Sequence, residues 1–334
     1  MSPLSVSTVI PTYERAGTLR RAIDSARADL LPADEILVVD DGSSDGTEAL
    51  VRSYPAPVRY FRTPRVGAGA ARNAGVRAAR GDLVAFLDSD DAWLPGKLAL
   101  QRAVMERHPD VLFAFSDFAS VSPEGEVAHR RADAWRRDAR PWDDVLGPRV
   151  PSGPAAAPPG TPDFAVHVGR LYEYFISHWP VSIITLIARR VAAGDALHFA
   201  EDVPTHEEIE CIARLAARGP AAFLTCETAV QHRHPGPRLT DATPLVAARS
   251  AATIIERVWG ADGAYLERHR GEYEAALDAH RERAARELLA LGRTGEARRE
   301  LGRMFRPRRG LTWLSYVPGG ALRFAAARRR RSAP

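Results

Sequence analysis

The chain has 334 residues, 45% of them hydrophobic and 26% charged, with a formal net charge of +4; this is an ordinary globular make-up with room for one large core and an appendage. Two cysteines, Cys211 and Cys226, are too few for a disulfide scaffold or a four-ligand metal site, so a reducing, cytoplasmic setting is expected. No apolar stretch approaches the ~20 residues that span a bilayer and no signal-peptide pattern follows Met1, so a soluble or peripherally attached protein is expected.

Residues 6–10 are short and β-branched and are closed by Pro11, which predicts a first buried strand. Leu19, Ala22, Ile23 and Ala26 then fall at helical spacing. Residues 35–39 predict a second strand, which ends in Asp40, Asp41 and Gly42; Asp45 and Glu48 follow at the spacing of a helix cap and its reciprocal partner. A third strand is expected at 58–61 and a helix at 68–79. Residues 83–87 are apolar without alternation, as in a strand buried on both faces of a parallel sheet. This rhythm of strand and helix predicts an α/β, doubly wound sheet.

Asp88, Asp90 and Asp91 place three carboxylates at the carboxyl end of that strand, where open α/β sheets bind ligands. Their mutual repulsion is relieved by a cation, and oxygen ligands point to Mg²⁺ or Mn²⁺. The plainer alternative is a polar turn capping the helix that begins near Pro95. Gly67, Gly69 and Gly75 do not make a dinucleotide fingerprint, because Arg72 stands where the third glycine of G-x-G-x-x-G belongs. They read as sites of close backbone packing. Arg72 and Asn73 read as groups facing a ligand, with a solvated helix arginine as the equal alternative for Arg72.

Three blocks, VSTVIPTYERAGTL, ILVVDDGSSDGT and GAGAARNAGVRAARGDLVAFLDSDDAWLPGKL, resemble in order and spacing those of the family 2 inverting glycosyltransferases. The resemblance implies a GT-A-type doubly wound mixed sheet, a nucleotide diphosphate sugar donor, most simply a UDP-sugar, and a Mn²⁺ or Mg²⁺ ion. It implies that Pro11, Thr12, Tyr13, Glu14, Asp40 and Asp41 hold base and ribose, with Asp41 facing the pyrimidine. It makes Asp88, Ser89 and Asp90 the D-x-D element, with Asp90 and Asp91 on the metal. Transfer with inversion needs a stabilised diphosphate leaving group and one carboxylate to take the acceptor proton.

Residues 112–119 predict another strand, and 129–162, rich in Arg, Ala, Pro and Gly, read as a surface loop. A strand at 183–188 closes on Arg189 and Arg190. The resemblance places acceptor-facing groups before such a strand and makes His178 and Trp179 candidates, with core packing the alternative for Trp179. In the family a Glu-Asp pair opens a helix; residues 207–215 fall into that register and give Glu208 the place of the catalytic aspartate, with Glu207 beside it. The longer carboxylate is a departure, and a shift of about 1 Å in a base costs ~100-fold. Two alternatives stay open: Thr205 and Glu208 as a capping box, and the Glu201-Asp202 pair as the base, although Pro204 parts it from the helix. In the HRHPG run the resemblance makes His234 the metal ligand, with Arg233 second.

Residues 247–258, 265–291 and 294–304 are amphipathic helices, and residues 284–304 resemble a single tetratricopeptide-type hairpin. The expected domains are a glycosyltransferase domain at 1–244 (nucleotide-sugar half 1–120, variable loop 121–165, acceptor half 166–244) and a helical region with a basic tail at 245–334. Trp313, Tyr316 and the arginines at 328–331 read either as a peripheral membrane contact or as a disordered charged tail. Nucleic acid is not an expected partner, since the arginines alternate with acidic neighbours. Glycosylation of a polysaccharide, glycolipid or secondary metabolite is the expected role. A nucleotidylyltransferase would need a glycine-rich phosphate loop and lysines, and Lys97 is the only lysine. A non-catalytic nucleotide-sugar-binding scaffold is the other alternative.

Overall fold

The computed structural model describes residues 2–136, 138–151, 164–233 and 242–318. The chain divides into two compact units, Met1–Glu201 with Glu207–Gly236, and Asp202–His206 with Pro237–Pro334.

In the first unit the described strands form one mixed sheet: β1 (Val6–Thr12), β2 (Glu35–Asp40), β3 (Val58–Arg62), β4 (Leu83–Phe86), β5 (Ala92–Trp93), β6 (Phe113–Val121), β7 (Val127–Ala128), β8 (Arg149–Val150), β9 (Val166–Gly169), β10 (Ile187–Arg189) and β11 (Ala221–His232). Their order is β3-β2-β1-β4-β10-β6-β11-β9-β8, with β5 on β11 and β7 on β6. The N-terminal half of the sheet, β3-β2-β1-β4, is parallel. Every residue of β1, β2 and β4 is buried, which is why those segments read as unbroken apolar runs. Each fully buried Val, Leu or Ile there contributes about 1.5–3 kcal/mol. Leu19, Ala22, Ile23 and Ala26 of the helix Ala16–Arg27 are buried as their spacing predicts.

β10 runs antiparallel to both β4 and β6, and Ile187 faces Ala85 on one side and Ala114 on the other. β4 and β6 therefore point the same way; β4 ends at Phe86, just before Asp88, whereas β6 continues through Asp117 to Val121.

The glycines of the third block do pack closely. A Cβ on Gly75 would sit 2.3 Å from Val9 Cγ1, and one on Gly69 would sit 2.6 Å from the Ala200 carbonyl oxygen, so the helix Ala68–Ala78 can lie directly on β1 and on the chain at 200. Asp45 differs from its expected role. It receives the amides of both Ala16 and Thr47, so one carboxylate serves the starts of two helices, while Glu48 pairs with Arg52. The expected strand at 183–188 is instead a 3-10 turn, Ile183–Thr185, followed by β10.

The second unit is helical: Pro244–Val258, Gly263–Ala290, Thr294–Gly302 and Arg309–Leu314. Thr243 and Asp262 cap the first two through Val246 N and Tyr265 N, each stabilising its helix by ~1 kcal/mol. Gly292, at φ +71°, makes the turn of the expected hairpin, and Leu288, Leu301, Met304 and Leu311 fill the core between these helices. No described helix is long and apolar enough to cross a membrane.

Candidate active site

The acidic turn begins where β4 ends. Leu87 N still donates to Val9 O, and Asp91 N donates back to Asp88 O at 3.1 Å, which turns the three aspartates out of the sheet in different directions. Asp88 keeps 30% of its side chain exposed and Asp90 17%, whereas Asp91 is buried.

Arg72 joins this turn to a helix far away in sequence. Its Nη2 donates to Asp88 Oδ1 at 2.8 Å and its Nη1 to Glu207 Oε1 at 2.6 Å. It is buried, with its guanidinium 5.5 Å from the centre of the Phe199 ring, so it is not a solvated helix arginine. Burial opposes its charge, but Asp88, Glu207 and Glu208 hold it protonated. On Asp88 burial wins: its carboxyl is held above the usual range, eased by Arg72 and pushed further by Asp90 and Glu207. Glu208 is pushed up to about 8, chiefly by burial and then by the charge of Glu207, with Arg72 opposing. It heads the helix Glu207–Arg218. Of the competing pair, Glu201 accepts from Asn73 Nδ2 and Asp202 is paired with Arg257.

On the nucleoside side the expected residues are together, though several are engaged with the protein. Asp40 is buried and accepts from Ser43 N and Tyr60 Oη; burial and that bond push the Tyr60 hydroxyl up to about 12. Asp41 accepts from Thr63 Oγ1, Val66 N and Gly67 N at 2.7–2.9 Å and so shapes the turn leading into the helix Ala68–Ala78. A carboxylate has about four acceptor positions, so one remains for a ligand. Pro11 lies in β1 opposite Val39. Thr12 is buried and its carbonyl accepts from Asp41 N, while its Oγ1 has no hydrogen-bond partner among the described residues. Tyr13 is exposed at the rim, with the Arg65 guanidinium 4.7 Å from its ring centre. Glu14, at φ +52°, accepts from Ser44 N and Oγ. Ser89 is buried. Asn73 does not face a ligand: its amide is bonded to Phe199 N, Phe199 O and Glu201.

At the other end of the turn, Asp91 Oδ1 accepts from His232 N at 2.8 Å. His232 ends β11, and its Nδ1 is buried with no hydrogen-bond partner among the described residues. Burial, and then Arg21, lowers its pKa against a hydrogen bond to the Val230 backbone and the pull of Asp90, which favours the neutral imidazole, the form that binds a metal. Arg21 also donates to the Asp90 carbonyl, and Arg15 Nε lies 4.0 Å from Asp90 Oδ2. His234 lies outside the described residues. Among the described residues no cluster of three or more His, Cys, Asp or Glu is already gathered at metal distance. The donor types of Asp90, Asp91 and His232 nevertheless suit a divalent ion, and the orphaned imidazole nitrogen is the observation that favours one. The sequence reading missed His232; its signal was its place as the first histidine of HRHPG, still on the strand.

On the expected acceptor side the ring of His178 stacks 4.3 Å from that of Tyr174, and its Nδ1 lies 3.2 Å from the Tyr174 carbonyl. Trp179 is half-buried beside it.

Residues 7–150 match the family described as Glycosyl transferase family 2. The succinoglycan biosynthesis protein ExoO of Rhizobium meliloti is 47% identical over 104 residues, 30% of this chain and 29% of that protein. The UDP-Glc:alpha-D-GlcNAc-diphosphoundecaprenol beta-1,3-glucosyltransferase WfgD of Escherichia coli is 32% identical over 124 residues, 36% of this chain and 49% of its own. The chain thus spans less than half the length of these curated relatives. Among solved structures, S. aureus TarS 1-349 in complex with UDP-GlcNAc superposes with a TM-score of 0.61 at 16% identity, covering 98% of this chain and 92% of that one. The mannosyltransferase PcManGT from Pyrobaculum calidifontis, in complex with GDP-Man and Mn²⁺, does so at 0.52 and 20%, covering 99% and 88%. At these identities the two structures speak for the fold, and the family match speaks for residues 7–150. Residues 7–150 are thus similar to glycosyltransferase family 2, and the chain has the GT-A fold.

Proposed function

We propose that the chain is an inverting, metal-dependent glycosyltransferase that moves a sugar from a nucleotide diphosphate donor, a UDP-sugar, to an acceptor hydroxyl. The carrying observation is the Arg72 bridge, which ties the acidic turn at Asp88 to Glu207 at the head of the base helix. In this reading the rim formed by Thr12, Tyr13 and Asp41 takes the base and ribose, and Asp88 and Ser89 lie along the ribose and diphosphate. Asp90, Asp91 and His232 hold Mn²⁺ or Mg²⁺. When bound, the ion stabilises negative charge on the departing diphosphate.

Glu208 accepts the proton of the acceptor hydroxyl, and Glu207, fixed by Arg72, positions it. A base with a pKa near the working pH removes a proton most effectively, and the environment of Glu208 raises it toward that range. His178 and Trp179 lie on the acceptor side. The two cysteines are free and buried, which suits a reducing cytoplasm. Support for the donor class comes from the UDP-GlcNAc bound to TarS and the UDP-Glc named for WfgD, and support for the ion from the Mn²⁺ bound to PcManGT.

The test is a screen of UDP-sugars against extracted acceptors, read by mass spectrometry, with Glu208→Gln as the control. A product that needs Glu208 supports the reading. Equal product from Glu208→Gln, or nucleotide binding with no transfer from any donor, contradicts it.

A further inference from the structure

Charge is divided unevenly along this chain. Residues 291–334 contain twelve arginines and two glutamates, a balance of +10, so the 290 residues before them carry −6 to give the overall +4. The described part of the basic stretch, 291–318, lies in the second unit. There the helix Arg309–Leu314 buries Leu311 in the hydrophobic core while Trp313 stays 69% exposed. Tyr316 is also 69% exposed, with the Arg298 guanidinium 5.0 Å from its ring centre, and Phe305 is 47% exposed. Arg298 and Arg309 are exposed and have no acidic partner among the described residues.

Large aromatic rings left in water beside uncompensated arginines form the pattern of a surface that lies at lipid headgroups. A second copy of this chain would bring the same positive face against itself and be repelled. An anionic bilayer supplies both the phosphates for the guanidinium groups and an interface where indole and phenol rings are stable. We propose that the face carrying Arg298, Arg309, Trp313 and Tyr316 docks on an anionic lipid bilayer. This does not depend on the transferase reading, since the surface lies outside the unit that contains the candidate active site.

The experiment is co-sedimentation of the full chain with phosphatidylglycerol-containing vesicles and with pure phosphatidylcholine vesicles, across a salt series. Binding should require phosphatidylglycerol and fall as salt rises. Arg298→Ala and Arg309→Ala should each weaken it about fivefold, and Trp313→Ala should weaken it while the unfolding midpoint stays unchanged. Equal binding to both vesicles, no binding to either, or full binding by all three variants would overturn the proposal. So would a concentration-dependent dimer in lipid-free solution that Trp313→Ala abolishes.

Discussion

Arg72→Met tests the geometry of the site most severely. The guanidinium holds Glu207 at 2.6 Å and Asp88 at 2.8 Å with 5% of its own side chain exposed. Methionine fills much of that volume but leaves two carboxylates without a counter-charge. Stranding a buried charge costs about 3–5 kcal/mol. Glu207, at 8% exposure, falls in that class, whereas water partly relieves Asp88 at 30%. A loss of about 3–5 kcal/mol is therefore expected at about pH 8. The pH dependence has a definite sign. Asp88 already stands above its ordinary value because burial outweighs Arg72. A carboxyl raised in the folded state binds more protons there than in the unfolded chain, so stability falls as pH rises through the interval between its two pKa values. Without Arg72 that interval widens, and the loss should be smaller at about pH 5 than at about pH 8. Adding Glu207→Gln removes one stranded charge and should restore a large part of the stability. Urea unfolding of the three proteins at both pH values is the assay. A loss below about 1 kcal/mol at both, or no recovery in the double variant, would refute the reasoning.

Glu208→Gln should lower transfer by roughly 10²–10⁴-fold while leaving UDP affinity unchanged; a small loss, or a loss of binding, would count against a base. With Glu208 held near 8, kcat of the wild type should keep rising with pH to about 8 instead of levelling off above the usual carboxylate range. Buried Lys97 lies 4.2 Å from the centre of the Trp93 ring and is held at about 7 by desolvation, against the pull of Asp29. Its pKa is lower folded than unfolded, so between about 7 and 10.5 the unfolded chain binds more protons and stability from this group rises with pH. Lys97→Met should lack that rise in urea unfolding across the same window. Asp41→Asn should leave at least one of Val66 N and Gly67 N facing an amide donor, cost about 1–3 kcal/mol and speed hydrogen exchange at those two amides.

The N-terminal half of the fold was legible because strands buried on both faces write unbroken apolar runs and because Gly42 follows the end of β2, although Pro11 does not close β1, which runs through it to Thr12 beside β2. The two-residue β5 left no such mark; its pairing with Ala229 and Val230 of β11 is decided by tertiary contact alone. Arg72 stayed ambiguous because nothing local announces that Glu207, 135 positions away, will meet it. Asn73 read as a ligand group from its neighbours, yet its hydrogen bonds run to Phe199 and Glu201, and Asp41 uses three of its acceptor positions on residues 63–67, partners that a linear pattern does not reveal. Asp45 has the spacing of a cap and does receive helix amides, but of two helices at once. His232 was passed over for His234 because the strand's last residue cannot be placed from the string HRHPG.

The most direct measurement is calorimetric titration of UDP into the wild type and Asp90→Asn, each with and without Mn²⁺. The account predicts that Mn²⁺ tightens UDP binding to the wild type by at least about tenfold, 1.4 kcal/mol, and that Asp90→Asn loses this gain. Equal affinity with and without the ion, or an undiminished gain in the variant, would contradict it.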